Sequence, residues 1–465
     1  MKVTRIAYSW RLNDAKYEAL QEQARLLGML RSDVWQRYGS LAGIGARDRA
    51  IRDQWLAEGR SFPVTANAWK ETLRDSIGDI RANYEAAKEI VIRNLCRRYS
   101  KTDKLKVLIA KVKRNEWTDD PLLHRLMRKQ WRRGRNHTHN QIIVRSDKYL
   151  CFELGGRAWI KIPSLVPRQL ISIPLTTKIP PSGTLRVILR GGRVEVHYQV
   201  DEKQEKTCGD EVVGVDKGFT EALTDSDGER YGEGLGEILS SEVERRNAKG
   251  QCRNKLRAIM KKHIQAGRHG KAENIARNNL GTQKLSGKNN VFKSQVQTLI
   301  FTGVHRLNEK ACTIVAEDLS SNFENSNNYG RAANRKLNSW VKGEIHYALE
   351  SVSRRRGSAL HVVNPAYTSQ MDSRYRILLG KRRGKKFYCF DGEVLDAETN
   401  AARNVLHRAE DPEIGLYTPY KKVKAILQER TEGQRRRLFL LDSSCANRMA
   451  STESELPNDQ QSIRN

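Results

Sequence analysis

The apolar residues of this chain change period near residue 138, and that change limits the folds open to it. From Asp14 the spacing is helical, with Tyr17, Leu20, Ala24, Leu27, Leu30, Val34 and Tyr38 along one side. Further helices are expected through about residue 135, TANAWKETLRDSIGDIRANYEAAKEIVIRNLCRRY among them. From Gln141 to Val200 the pattern becomes short runs of period two: IIVRS, YLCFEL, AWIKIP, LISIPL, LRVILR and VEVHYQV. Gly155-Gly156, the PPSG at 180–183 and Gly191-Gly192 break these runs as turns do. The runs predict a small antiparallel barrel or sandwich. Residues 1–12 alternate enough to add a strand to it, which would make 13–137 a helical insertion.

Beyond the polar stretch DEKQEKTCGDE the pattern changes again. VVGVDKGFTEALTDSDGERYG reads as strands joined by turns, and a long basic helical region follows. A helix with Phe292, Val296, Leu299, Val304 and Leu307 on one side leads into ACTIVAEDL, a buried-type strand that ends on an acid. The helix SWVKGEIHYALESVSRRR, the strand ALHVVNP, a loop-rich segment and a helix starting near Asp396 complete the region. The polar residues from about 443 onward are expected to be disordered.

Charge narrows the partner class. The 465 residues hold 84 Lys+Arg against 54 Asp+Glu, a formal excess of +30. An excess of this size repels itself unless a polyanion neutralises it, so nucleic acid is the expected partner. In RKQWRRGRNHTH, Arg132, Arg133 and Arg135 are candidate phosphate contacts, and Trp131 is a candidate for base stacking or for core packing. Arg253 and Lys255, in the later basic helix, are further candidates. There is no apolar run of about 18 residues and no signal-peptide pattern in MKVTRIAYSWRL, so no membrane partner is expected and the expected location is cytoplasmic, with the nucleoid. Seven cysteines without a C-x-x-C pair form neither a disulfide framework nor a complete zinc site.

Three acids stand out against this basic background. VVGVD ends at Asp216, TIVAED carries Glu317, and DAETNAARN offers Asp396 or Glu398 at a helix start. Any one of them could simply punctuate a strand or cap a helix. As a set they fit the oxygen ligands needed to hydrolyse a phosphodiester with divalent ions.

The segments GVDKGFTEALTDSDG, VAEDLSSNF and DAETNAARN resemble the three successive RuvC motifs of TnpB-type transposon nucleases and of the miniature type V CRISPR effectors. NPAYTSQMDSR is similar to the stretch that those proteins carry before a zinc knuckle. The resemblance implies a multidomain α/β chain. Its parts would be a β-barrel wedge domain (1–12 and 138–205), a helical recognition domain (13–137), an RNase H-like RuvC nuclease domain (206–366 and 396–442), a degenerate knuckle-like insertion (367–395) and a disordered tail (443–465). It also implies a guide RNA, double-stranded DNA targeted beside a short flanking motif, magnesium or manganese as cofactor, and action as a monomer or a homodimer on RNA.

Residue by residue, Asp216 matches the first metal-binding acid and Glu317 the second. The third motif runs D-x-D-x-N-A-A-x-N with its second Asp as ligand, and here that position is Glu398, leaving Asp396 as the alternative. The extra methylene shifts the carboxylate by about 1 Å, a displacement that can cost roughly a hundredfold in rate. Two further readings therefore stand beside the metal-dependent endonuclease: a guided DNA-binding protein with weak or no cleavage, and an unguided structure-specific nuclease. Where the relatives carry C-x-x-C this chain has Asp372 and Tyr375, with Cys389 left in the second half, so no structural zinc is expected. Tyr375, Phe387, Tyr388 and Phe390 are expected to replace it with an apolar cluster or to leave a flexible loop.

Overall fold

The computed structural model describes residues 2–99, 102–201, 207–319 and 340–452. The chain forms two compact units, residues 1–203 and 204–465. The end of the second motif (SSNF), most of the DEKQE stretch and residues 453–465 lie outside the described residues.

The first unit opens with β1 (Lys2–Tyr8) and continues through α1 (Asp14–Tyr38), α2 (Asp48–Ala57), α3 (Ala66–Tyr99), α4 (Asp103–Lys113) and α5 (Pro121–Gln130). The strands β2 (Gln141–Val144), β3 (Leu150–Leu154), β4 (Arg157–Pro163), β5 (Leu170–Pro174), β6 (Leu185–Arg190) and β7 (Arg193–Asp201) follow. β1 pairs with β7 along its whole length, from Lys2 opposite Asp201 to Tyr8 opposite Glu195. The helices therefore enter between two strands of one sheet.

The closed barrel does not form. The strands make two open sheets, ordered β1-β7-β6-β2 and β3-β4-β5. Among the described residues the backbones of the two sheets are joined by one isolated bridge, Ser9 to Leu175. At this bridge the Pro174 carbonyl accepts from Trp10 N at 2.9 Å and the Tyr8 carbonyl accepts from Thr176 N at 2.8 Å. Both sheets and α1 close over one core that includes Leu20, Leu27, Ile160, Ile173, Val187 and Val196. Asp75 of α3 stitches the helices to the sheet, accepting from Arg31 of α1, from Arg186 of β6 at 2.6 Å and from Gln141 of β2 at 3.1 Å.

The second unit holds β8 (Glu211–Lys217), β9 (Leu223–Asp225) and β10 (Arg230–Tyr231), then α6 (Leu235–Gln265), α7 (His269–Asn274) and α8 (Gln283–Lys310). Next come β11 (Ala311–Glu317), α9 (Lys342–Arg356) and β12 (Ala359–Val363). The chain ends with β13 (Lys381–Arg383), β14 (Lys386–Tyr388), β15 (Val394–Asp396), α10 (Ala397–Arg408) and α11 (Tyr420–Thr452). α11 thus runs beyond residue 443, where the sequence reading placed the start of a disordered tail.

The main sheet has the order β10-β9-β8-β11-β12, with β8, β11 and β12 parallel and β9 and β10 antiparallel. Both faces are covered, as parallel strands require. Val213, Val215, Ile314 and Ala316 pack on one side with α8 and α9 residues such as Val304 and Leu349. Val315 and Val363 pack on the other side with Val405 and Leu406 of α10. Among the described residues no helix is long and apolar enough to cross a membrane.

Candidate functional site

β8 and β11 run in parallel register with Val215 beside Ala316. One step further along, at the strand ends, stand Asp216 and Glu317. α10 lies directly on β8, and Gly214 permits the approach. A Cβ there would meet the Ala402 carbonyl oxygen at 2.4 Å and the Leu406 Cβ at 2.6 Å. The helix begins at Asp396 and carries Glu398 in its first turn. Thr224, opposite Asp216 across the β8–β9 pair, donates a long hydrogen bond of 3.5 Å to Glu398 Oε2.

The charges at this junction feel one another. Burial pushes the Asp216 carboxyl up to about 8, with Glu317 and Glu398 adding like-charge repulsion and Arg382 opposing it. Burial also raises Glu317, against a hydrogen bond from the Thr368 hydroxyl and the charge of Lys217. Glu398 is raised by burial and then by Glu221, with Arg382 again opposing. Arg382 Nη2 stands 3.8 Å from Glu398 Oε1.

Asp396 is occupied differently. It caps α10 by accepting from the Thr399 N–H and hydroxyl, both at 2.9 Å, and from Arg230 at 3.1 Å. Burial alone would raise it, but these partners outweigh burial and hold it below the usual carboxylate range. Glu398, not Asp396, is therefore the third-motif acid that shares a field with Asp216.

The two asparagines of that motif do structural work. Asn400 and Asn404 are one helical turn apart, and both donate to the Met371 carbonyl, at 2.7 and 2.8 Å. Asn404 also donates to the Thr368 carbonyl at 2.9 Å, and Asn400 Oδ1 accepts from Ser373 N at 2.9 Å. The buried Arg408 continues the clamp onto the Asn364 and Ala366 carbonyls, at 3.3 and 3.1 Å. NPAYTSQMDSR is thereby fixed to α10, and Thr368 within it reaches Glu317.

Sequence reasoning missed Thr368, Arg382 and Lys217. Lys217 is buried, donates to the Glu317 carbonyl at 2.5 Å and is pulled down to about 8 by burial. The run DKG after a buried-type strand was the one available hint. A lone threonine in a loop and one arginine in RYRILLGKRRGKK carry no periodic signal.

The nucleic-acid candidates divide. Trp131 is 2% exposed, with its ring 4.6 Å from Tyr84 and 6.4 Å from Trp117. Of its two candidate roles Trp131 takes core packing and not base stacking, because Tyr84 and Trp117 leave the ring no open face. Arg132 and Arg135 are exposed, while Arg133 donates to the Gln36 carbonyl at 2.5 Å. Arg253 ties the Leu280 and Gly281 carbonyls, at 2.8 and 3.1 Å, and Lys255 is exposed.

Asp216, Glu317 and Glu398 form an all-oxygen donor set, which suits magnesium or manganese in kind. In spacing, among the described residues no group of three or more His, Cys, Asp or Glu side chains is gathered closely enough to hold one ion.

A family model described as the Cas12f1-like TNB domain matches residues 343–405. This segment takes in most of α9, β12, the lobe of β13–β15 and α10 as far as Val405. Over it, the match bears out the resemblance to the miniature type V effectors. No curated protein matches the chain. Among solved structures, one described as the cryo-EM structure of the Cas12f1-sgRNA-target DNA complex is similar at a TM-score of 0.40 and 12% identity, covering 89% of this chain and 99% of that one.

Proposed function

We propose that this chain is an RNA-guided DNA-targeting protein whose second unit carries a metal-dependent endonuclease centre of RuvC type. The observation that carries the reading is the shared field of Asp216, Glu317 and Glu398 where β8, β11 and α10 meet, with Glu398 inside the segment similar to the Cas12f1-like TNB domain. These three acids would hold magnesium or manganese. A divalent ion there would offset charge on a scissile phosphate and ease ionisation of the attacking water.

The remaining work belongs to the chain. Thr368 orients the Glu317 carboxylate, and Thr224 steadies Glu398. Arg382 offers a guanidinium suited to a phosphate oxygen. The Asn400–Asn404 clamp fixes the helix on which Glu398 rides. Exposed Arg132, Arg135 and Lys255 supply contacts that position a phosphate backbone without reading its sequence. In this reading residues 13–137 form the recognition domain, 1–12 with 138–205 the wedge, and 206–366 with 396–442 the nuclease parts. Guide RNA and double-stranded DNA are the partners that the +30 excess serves.

A second reading, guided binding with little or no cutting, is favoured by one observation: the three acids stand in a common field without closing to ion-binding distance. One experiment separates the two. The protein is purified with its native RNA and given guide-matched plasmid in Mg²⁺ and, separately, in Mn²⁺, with nicking scored beside a gel shift. Cutting that is lost in Asp216→Ala supports the endonuclease. Guided binding without cutting in either metal supports the second reading, and binding indifferent to the guide match sinks both.

A further inference from the structure

The lobe formed by residues 367–395 is built around a cation that belongs to the protein. Asp372 is fully buried and accepts from one arginine through both oxygens: Arg374 Nε reaches Oδ1 at 3.0 Å and Nη2 reaches Oδ2 at 2.7 Å. The other side of the same guanidinium meets Asp391, at 2.8 Å from Nη1 and 3.0 Å from Nη2, and Glu393 through Nη1. Asp372 also bridges to Ile377, and Cys389 N donates to the Glu393 carbonyl at 2.9 Å, so each half of the lobe is a closed turn. Arg374 links the two halves by charge, beside the Tyr375–Phe390 ring pair at 5.4 Å.

The donor set does not suit zinc. A structural zinc site takes four nitrogen or sulfur ligands as a rule, with the thiols ionised. At the positions that the resemblance marks for cysteines stand Asp372 and Tyr375, with Cys389 left in the second half. Both oxygens of Asp372 are engaged by Arg374. Cys389 is the one sulfur among these positions, and it is buried. Of the expected aromatic cluster, Phe387 is buried with Cys389, Ala397 and Leu395, Tyr375 and Phe390 pair at the surface with ring centroids 5.4 Å apart, and Tyr388 is exposed.

We infer that Arg374 takes the structural place of a metal ion in this lobe, its guanidinium joining the turn at 372–377 to the turn at 388–394 through Asp372, Asp391 and Glu393. A planar fork with five donors can satisfy several carboxylates at once, which a lysine ammonium cannot do with the same geometry. The lobe then folds without zinc and reaches α10 through Ser373 and Met371, the backbone partners of Asn400. The inference holds whether or not the acids at the strand ends cut DNA.

The test uses the full chain. Zinc content is measured after expression in zinc-supplemented medium and dialysis, and thermal unfolding is followed with and without a strong chelator. The expected result is far less than one zinc per chain and an unchanged unfolding midpoint in chelator. Arg374→Gln should lower the midpoint by about 3 °C or more and open residues 372–394 to limited proteolysis, and Arg374→Lys should recover only part of the loss. Asp372→Asn added to Arg374→Gln should recover some stability, because no buried charge is then left alone. One zinc retained per chain, a midpoint that falls in chelator, or full stability in Arg374→Gln would each overturn the inference. Should Arg374→Gln not fold, the zinc and chelator measurements on the unaltered chain decide the matter.

Discussion

Around Arg374 one guanidinium answers three carboxylates, whereas around Asp216 three carboxylates lie together with Lys217 and Arg382 nearby, Arg382 standing 3.8 Å from Glu398. The ingredients are the same and the balance is opposite. Hydrogen bonds from Arg374 hold Asp391 below the usual carboxylate range, while burial and like charge lift Asp216 above it. The first cluster is satisfied within the chain and acts as structure. The second keeps like charges together in a buried place, which is how sites made to receive a cation or a substrate are often arranged.

The sharpest way to break this comparison is to empty the satisfied cluster. Arg374→Leu strands the buried Asp372 charge and should cost about 3 kcal/mol in urea unfolding of the second unit. If the cost is near zero, the cluster is surface decoration. At the other cluster, Glu398→Asp withdraws the carboxylate by one methylene, and plasmid nicking in Mg²⁺ should change by roughly a hundredfold, upward if the glutamate is the misplaced ligand.

A third substitution tests the tension itself. The folded-state carboxyl of Asp216 lies above its unfolded value, so the folded state binds the extra proton between the ordinary aspartate range and about pH 8. Stability should therefore fall as pH rises through that window, and Asp216→Asn should flatten the slope. In chelator above pH 8 the variant should be more stable by about 1 to 2 kcal/mol, read from chemical denaturation. Asp396→Ala, which removes a cap and its ion pair with Arg230, should cost about 1 kcal/mol and show no such fall between the ordinary aspartate range and pH 8. The smallest effect concerns Cys389: at pH 8 a maleimide reagent should label the exposed Cys252 and leave Cys389 unlabelled until the protein unfolds.

What the sequence disclosed follows from how local each signal is. Strands β8 and β11 and the start of α10 were legible because an apolar run that stops on an acid, or an acid three residues ahead of helical spacing, is written in adjacent residues. The role of Gly214 was not legible, since its reason is the Ala402 carbonyl nearly two hundred residues later. For Trp131 among arginines the sequence left stacking and packing both open, because the residues that cover it, Tyr84 and Trp117, are remote in sequence. The open sheets have a related cause: period two predicts strands, but which edges pair depends on residues as distant as Ser9 and Leu175. Of the candidate site, the three acids were visible and their partners were not, because Thr368 and Arg382 sit in loop-rich sequence where no period marks them.

The pairing of β1 with β7 has a consequence in time. During synthesis the first strand of the sheet emerges long before Arg193–Asp201, the strand it must join. It waits with its ladder groups unmet while the helices between them are made and packed. Contacts that are near in sequence form first, and the long loop is closed last. The helical insertion is thus the part able to fold while still attached to the ribosome, and the last residues of this unit decide when the sheet beneath it is complete.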